Sequence, residues 1–149
     1  YFPVTREQDA EYDPNIKSVN YRGNGESILV VDDVKEQRDI ASKILSQLGY
    51  SVKTAESGEQ ALELLKTNPV DLVVLDMIMV PGIDGLETYE RIIELHPQQK
   101  AIIASGYSET DRVKKAQRLG AGRYVKKPYT VRKIGLAVKG ELAKPKKAA

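Results

Sequence analysis

The chain has 149 residues, 30% of them charged, with a formal net charge of +2 and no cysteine. That length suits one domain with flanking sequence, and charges of both signs make a solvated surface without the basic footprint of a nucleic-acid binder. The missing thiols exclude disulfides, thiol nucleophiles and sulfur-ligated metals. No apolar run approaches the roughly 20 residues needed to cross a bilayer, and no signal peptide is visible. The chain starts without a methionine, as expected of a piece cut from something longer.

In chain order, "YFPVT" at 1–5 is a strand-like scrap. Residues 6–26 are polar, lack apolar periodicity and carry Pro14, Gly23 and Gly25, which predicts a linker, flexible at its glycine end. An ordered domain then begins near Ser27. "SILVVD" reads as a strand, and 35–48 as an amphipathic helix with Ile40, Ile44, Leu45 and Leu48 on one face, stopped by Gly49. "YSVKTA" is a short strand. A helix over 58–67 carries Ala61, Leu62, Leu64 and Leu65, with Ser57 as its cap and Asn68-Pro69 at its end. "DLVVLD" is a strand, "MIMVPGIDG" a loop in which Met77 and Met79 serve packing, and 85–95 a helix closed by His96-Pro97. "KAIIASG" is a strand, 109–119 a helix ended by Gly120, "RYVKK" a strand, and about 130–143 a last helix; "KPKKAA" at 144–149 is a basic tail. Five β-α units predict an α/β fold, a doubly wound parallel sheet with helices on both faces.

Three acidic positions lie at the ends of two apolar, β-branched runs: Asp32 and Asp33 after "SILVV", and Asp76 after "DLVVL". The fourth and fifth strands end at Ser105 and Lys127. Neighbouring strand ends of such a sheet converge on one crevice. Clustered carboxylates need a cation, and hard oxygen ligands with room for water suit Mg²⁺ (or Mn²⁺). A carboxylate beside a metal and a lysine can attack a phosphoryl group, since both cations offset charge on the transferring oxygens. Ser105 would donate a hydrogen bond to one such oxygen and Lys127 would pair with another. Gly106 leaves room for the incoming group. His96, the lone histidine, reads as a surface or capping residue at a helix end.

The segment from Ser27 to about Leu142 resembles the receiver domain of two-component response regulators. The motifs occur in order: Asp32-Asp33, Asp76 followed by Pro81-Gly82 and Asp84-Gly85, Ser105-Gly106, and Lys127-Pro128. The resemblance implies a flavodoxin-like sheet of five strands in order 2-1-3-4-5. It implies Asp76 as phospho-acceptor, with Asp33, Asp76 and the Ile78 backbone carbonyl on the metal and Asp32 acting through water. Ser105 and Lys127 would hold the phosphoryl oxygens, and the bond before Pro128 would be cis. Tyr124 is either an aromatic switch, moving with the Ser105 hydroxyl, or an aromatic packed permanently between strand and helix. Pro81 lies five residues after Asp76 where the family has four, with Val80 as the extra residue. Ile78 and Tyr107 flank the site, and neither organises an attacking water well, so slow hydrolysis of the phospho-aspartate is expected.

"YFPV" is similar to the closing strand of a histidine kinase ATP-binding domain. The organisation implied is a domain remnant at 1–5, a linker at 6–26, a receiver at 27–143 and a tail at 144–149, at the C-terminal end of a hybrid sensor kinase. The fragment lacks the kinase's own histidine motif and glycine boxes. The implied partner is a phosphohistidine-bearing kinase or phosphotransfer domain, with no nucleic acid and no membrane contact by this fragment, in the cytoplasm below a parent that is itself membrane-anchored or soluble. Lys114, Lys115, Arg118, Lys126 and Arg132 make the 109–143 face basic, which reads either as a solvated surface or as a docking site for an acidic partner or a receiver dimer. Two other classes compete. A small phosphohydrolase with Asp76 as nucleophile would want an acid at position 78, where Ile stands. A receiver-like interaction module without phosphorylation would not need the acidic set.

Overall fold

The computed structural model describes residues 21–80, 82–106 and 110–145. The expectations for residues 1–20, Pro81, Tyr107 and the tail beyond Pro145 lie outside the described residues. Five strands alternate with five helices: β1 Ser27–Val31, α1 Lys35–Gln47, β2 Ser51–Ala55, α2 Gly58–Thr67, β3 Leu72–Asp76, α3 Gly85–Leu95, β4 Lys100–Ser105, α4 Asp111–Arg118, β5 Tyr124–Lys126 and α5 Val131–Ala143. All neighbours pair in parallel, in the order β2-β1-β3-β4-β5. The expected fold class, with its strand order, is observed.

The apolar runs of β1, β3 and β4 follow from their position. Each is buried on both faces, so alternate residues serve two separate cores. Leu29, Val31, Val73, Leu75, Ala101 and Ile103 face one core, with Ala61, Leu65, Leu86, Tyr89, Ile92, Val113 and Ala116 from α2, α3 and α4. Ile28, Val30, Leu72, Val74, Ile102 and Ala104 face the other, with Ala41, Leu45, Ile134, Ala137 and Val138 from α1 and α5. The edge strand β2 is mostly exposed, which its Ser-Val-Lys-Thr sequence tolerates.

One helix face needs correction. Ile40 is 42% exposed, while Ala41 and Leu45 are fully buried and Ile44 and Leu48 only partly so. At 100° per residue the buried stripe is centred on 41 and 45, and Ile40 falls off its edge. The stop signals act as expected. After α1, Gly49 takes φ +95°, its N–H donates to Ser46 O and Tyr50 N–H to Leu45 O. Gly120 (φ +122°) ends α4 with the same pair of bonds, to Gln117 O and Ala116 O. Both are Schellman turns, which close a helix through a left-handed residue. Ser57, Asp84, Thr110 and Thr130 cap α2, α3, α4 and α5, each accepting the backbone N–H three residues on.

Residues 22–26, read from sequence as linker, lie against the domain. Gly23 N–H donates to Leu48 O, Gly25 N–H to Gly49 O, and Glu26 O accepts from Ser51 N–H.

The reversal of strand order places β1 beside β3, with the chain leaving β1 toward β2 and returning to the other side. Ligands of open α/β sheets bind outside the carboxyl ends of strands at such a switch point.

Candidate active site

The acids stand at that point. β1 runs directly into Asp32, whose N–H still donates to Ala55 O of β2, and β3 ends on Asp76 beside Ala104 of β4. Asp32 is fully buried, Asp76 nearly so and Asp33 half-buried. Carboxylate oxygens of the three lie within 4.8 Å of one another. Asp32 Oδ1 accepts the Val34 N–H at 2.9 Å, and Arg38 Nη1 donates to the Asp32 carbonyl at 2.8 Å. Both contacts fix the turn into α1.

Lys127 arrives from the opposite edge of the crevice. Its N–H donates to Ser105 O at 2.8 Å, continuing the β4–β5 ladder one residue past the strand. The Lys127–Pro128 peptide is cis. The ammonium is ion-paired with Asp32 Oδ2 and stands 3.3 Å from Asp76 Oδ1, with 12% of the side chain exposed. Ser105 ends β4, buried, on the same rim. The crevice holds about 480 Å³ and is lined by Asp33, Asp76, Ile78, Ser105, Gly106 and Lys127 among others. A Cβ added at Gly106 would meet nothing within 4 Å, so the space there is free for an incoming group.

The electrostatics single out Asp76. Burial, then the Asp32 charge, push its carboxyl up to about 7; Lys127 opposes the shift and Asp33 adds to it. One ammonium is too little positive charge for three adjacent acids. A hard divalent cation fits this donor set, because Asp33 and Asp76 offer oxygens to an open crevice while Asp32 is already engaged by Lys127 and Val34.

The loop after Asp76 crosses the crevice mouth. Ile78 lines it and is 47% exposed; Val80 is 71% exposed, and its N–H reaches Asp33 Oδ2 at 3.4 Å. Met77 and Met79 are buried in the core. At its far end the loop is held by Glu59 of α2, which accepts the Ile83 N–H at 3.2 Å, and by an Arg112–Asp84 ion pair at 2.5 Å. Tyr124 is half-buried against the α2–α4 side of the core. His96 caps α3, and its Nε2 lies 3.0 Å from Leu65 O, far from the acids in the fold.

Three residues at the site escaped the sequence reading. Tyr129 is buried with its ring centroid 6.0 Å from Lys127 Nζ, and burial with the Asp32 and Asp76 charges pushes its phenol well above the usual range. Arg38 holds the turn, and Gln37 lines the crevice with a buried Oε1 that has no partner. Only Tyr129 carried a signal, an aromatic two residues past the lysine. Arg38 and Gln37 look like any polar residues in the first turns of a helix.

A larger cavity of about 780 Å³ opens at the other end of the sheet, lined by Glu26, Asp71, His96 and Lys100 among others. Asp71 there accepts from Ser27 N–H and Lys100 donates to Leu142 O. Among the described residues no cluster of three acids lies there.

The family model of the response regulator receiver domain matches residues 28–139. The chain is 35% identical over 114 residues to Sporulation initiation phosphotransferase F of Bacillus subtilis, covering 76% of this chain and 91% of that protein. It is 33% identical over 126 residues to the Autoinducer 1 sensor kinase/phosphatase LuxN of Vibrio campbellii, covering 85% of this chain but spanning only 14% of that relative. Among solved structures, a CheY-like receiver domain protein from Methanospirillum hungatei superposes with a TM-score of 0.74 at 28% identity, over 79% of this chain and 94% of that one. NtrX from Brucella abortus does so with 0.75 at 30% identity, over 79% and 27%. The acids and lysine gathered at one rim and these likenesses agree: the chain belongs to the response regulator receiver family, the phospho-accepting modules of two-component phosphorelay signalling.

Proposed function

We propose that Asp76 is the phospho-acceptor and that the phosphoryl donor is a phosphohistidine on a kinase or phosphotransfer domain. The observation that carries this reading is the buried Asp76 carboxylate, 3.3 Å from Lys127 Nζ and within 4.8 Å of two further acids, on an open crevice. An Asp76 oxygen attacks phosphorus, the P–N bond breaks, and its electron pair returns to the ring nitrogen, so that a phosphohistidine protonated on its other ring nitrogen leaves as neutral imidazole. Lys127 exchanges its Asp76 partner for a phosphoryl oxygen while Asp32 keeps the ammonium in place. Ser105 donates its hydroxyl to a second oxygen. Mg²⁺ or Mn²⁺, held by Asp33, Asp76 and the Ile78 carbonyl with Asp32 acting through water, would neutralise charge on the transferring group.

The product state differs from the starting state in contacts made to Ser105 and Lys127, so phosphorylation shifts a pre-existing equilibrium between conformers, with Tyr124 as the aromatic that follows Ser105. Residues 27–143 form the receiver, with residues 22–26 docked on it. The parent is a hybrid sensor kinase, and the module works in the cytoplasm. Among the described residues no helix is long and apolar enough to cross a membrane. The basic 109–143 face is the surface for an acidic partner or a second receiver. A hydrolase acting on phosphate esters fits less well, since Ile78 stands at the crevice where such an enzyme would place its leaving-group acid.

Intact mass after incubation with acetyl phosphate and Mg²⁺ tests the chemistry. One phosphoryl group is expected on the parent and none on Asp76→Asn; equal labelling of both would refute it. Ile78 at the mouth gives the attacking water no polar guide, so Ile78→Asn is expected to shorten the phospho-aspartate lifetime severalfold, read from the decay of the phosphorylated mass. An unchanged lifetime removes Ile78 as the cause of slow hydrolysis.

A further inference from the structure

We infer that Tyr21–Glu26 is a strap that belongs to the folded receiver, locked onto α1 and α5 by Tyr21 seated in a notch between the two helices. The end of an α-helix leaves its last C=O groups without intrahelical partners. At the end of α1, Leu48 O accepts the Gly23 N–H at 2.7 Å and Gly49 O accepts the Gly25 N–H at 2.9 Å. Next in the chain, Glu26 O takes the Ser51 N–H at 2.9 Å, so the strap runs without a break into the β1–β2 pairing. On the other side Lys139 Nζ of α5 donates to Arg22 O at 2.6 Å.

The glycines agree with this. Gly135 lies in the middle of α5, where glycine is disfavoured relative to alanine. A Cβ built there would lie 3.2 Å from Tyr21 Cδ1 and 3.4 Å from both Tyr21 Cβ and Leu48 Cδ1. The missing side chain is the floor of the Tyr21 seat. Gly23 is met in the same way by the Tyr50 ring, 2.2 Å from where its Cβ would be. Gly140, in the same helix, has nothing within 4 Å of its Cβ position and serves as the control.

Helices α1 and α5 cover one face of the sheet. Tyr21 thus sits in the seam between them, against Gly135 and Leu48.

The test uses the full chain, with amide hydrogen exchange at Gly23 and Gly25 and tryptic cleavage after Arg22. In the parent both amides exchange at least ~10-fold more slowly than in an unstructured peptide, and cleavage after Arg22 lags. Tyr21→Ala and Gly135→Leu bring both readouts to the unstructured rate, while Gly140→Ala leaves them at the parental values. Should Gly135→Leu fail to fold, Tyr21→Ala decides alone, because Tyr21 lies outside the sheet and both cores. Unprotected glycine amides in the parent, or protection that survives Tyr21→Ala, would overturn the strap. Phosphorylation of Asp76, followed by mass, stays at the parental level in Tyr21→Ala; its failure would bear on the acceptor assignment instead.

Discussion

Asp76 shows how one residue can be poorly accommodated by the fold that needs it. Its carboxyl is raised from an unfolded value of 3.8 to about 7, first by burial and then by Asp32. The folded protein therefore holds a proton that the unfolded chain releases between pH 4 and 7, so stability falls as pH rises through that window and levels off above it. Asp76→Asn removes the liability. In metal-free buffer at pH 8 the variant is expected to be more stable than the parent by on the order of 2 kcal/mol, the gap shrinking as pH falls and closing near pH 4. Denaturant melts at three pH values check this, and a gap that widens toward acid would have the wrong sign. Asp76 was legible in the sequence because an acid ending a long apolar run is conspicuous. Gln37 and Arg38 were not, since nothing in a polar helical turn says which side chain leans toward the crevice.

At the scale of the element, the turn from β3 into α3 brings backbone against backbone. A Cβ at Gly85 would lie 2.5 Å from Asp76 O and 2.6 Å from Met77 Cα, and Gly85 N–H donates to Met77 O at 2.9 Å. Gly85→Ala must push α3 away from the end of β3. We expect a loss of about 1–3 kcal/mol, the usual range for overpacking, together with slower phosphorylation of Asp76. Thermal melts and the mass assay read the two effects, and a variant of parental stability would mean the turn yields easily. The Asp84-Gly85 pair was visible in the sequence as a motif. Its physical reason was hidden, because close approach between residues nine apart appears only when the loop is folded back. Ile40 shows the reverse failure, an apolar residue whose helical spacing suggested burial and whose phase carried it to the surface.

For the whole molecule, the three acids form a repulsive cluster that a bound cation would relieve, and such binding would be linked to folding. A ligand that binds only the native state stabilises it in proportion to its occupancy, by about 2.7 kcal/mol at a concentration 100 times Kd. Millimolar Mg²⁺ is expected to raise the melting temperature of the parent, and Asp33→Asn to abolish most of that increase without abolishing folding. An increase of equal size in both proteins would point to a nonspecific salt effect.

The alternation of strands and helices, the two-sided burial of β1 and β3, the helix stops and the placing of acids, serine and lysine at strand ends followed from local pattern, because hydrophobic period and capping chemistry act between residues close in the chain. Convergence was of another kind. The pairing of Lys127 with Asp32, across 95 residues, the burial of Gln37 Oε1 without a partner, and the seat that Gly135 makes for Tyr21 depend on how distant segments pack. Residues 22–26 were read as linker for the same reason: a polar, glycine-bearing stretch has no pattern of its own, and its partners are the end of α1 and the side of α5.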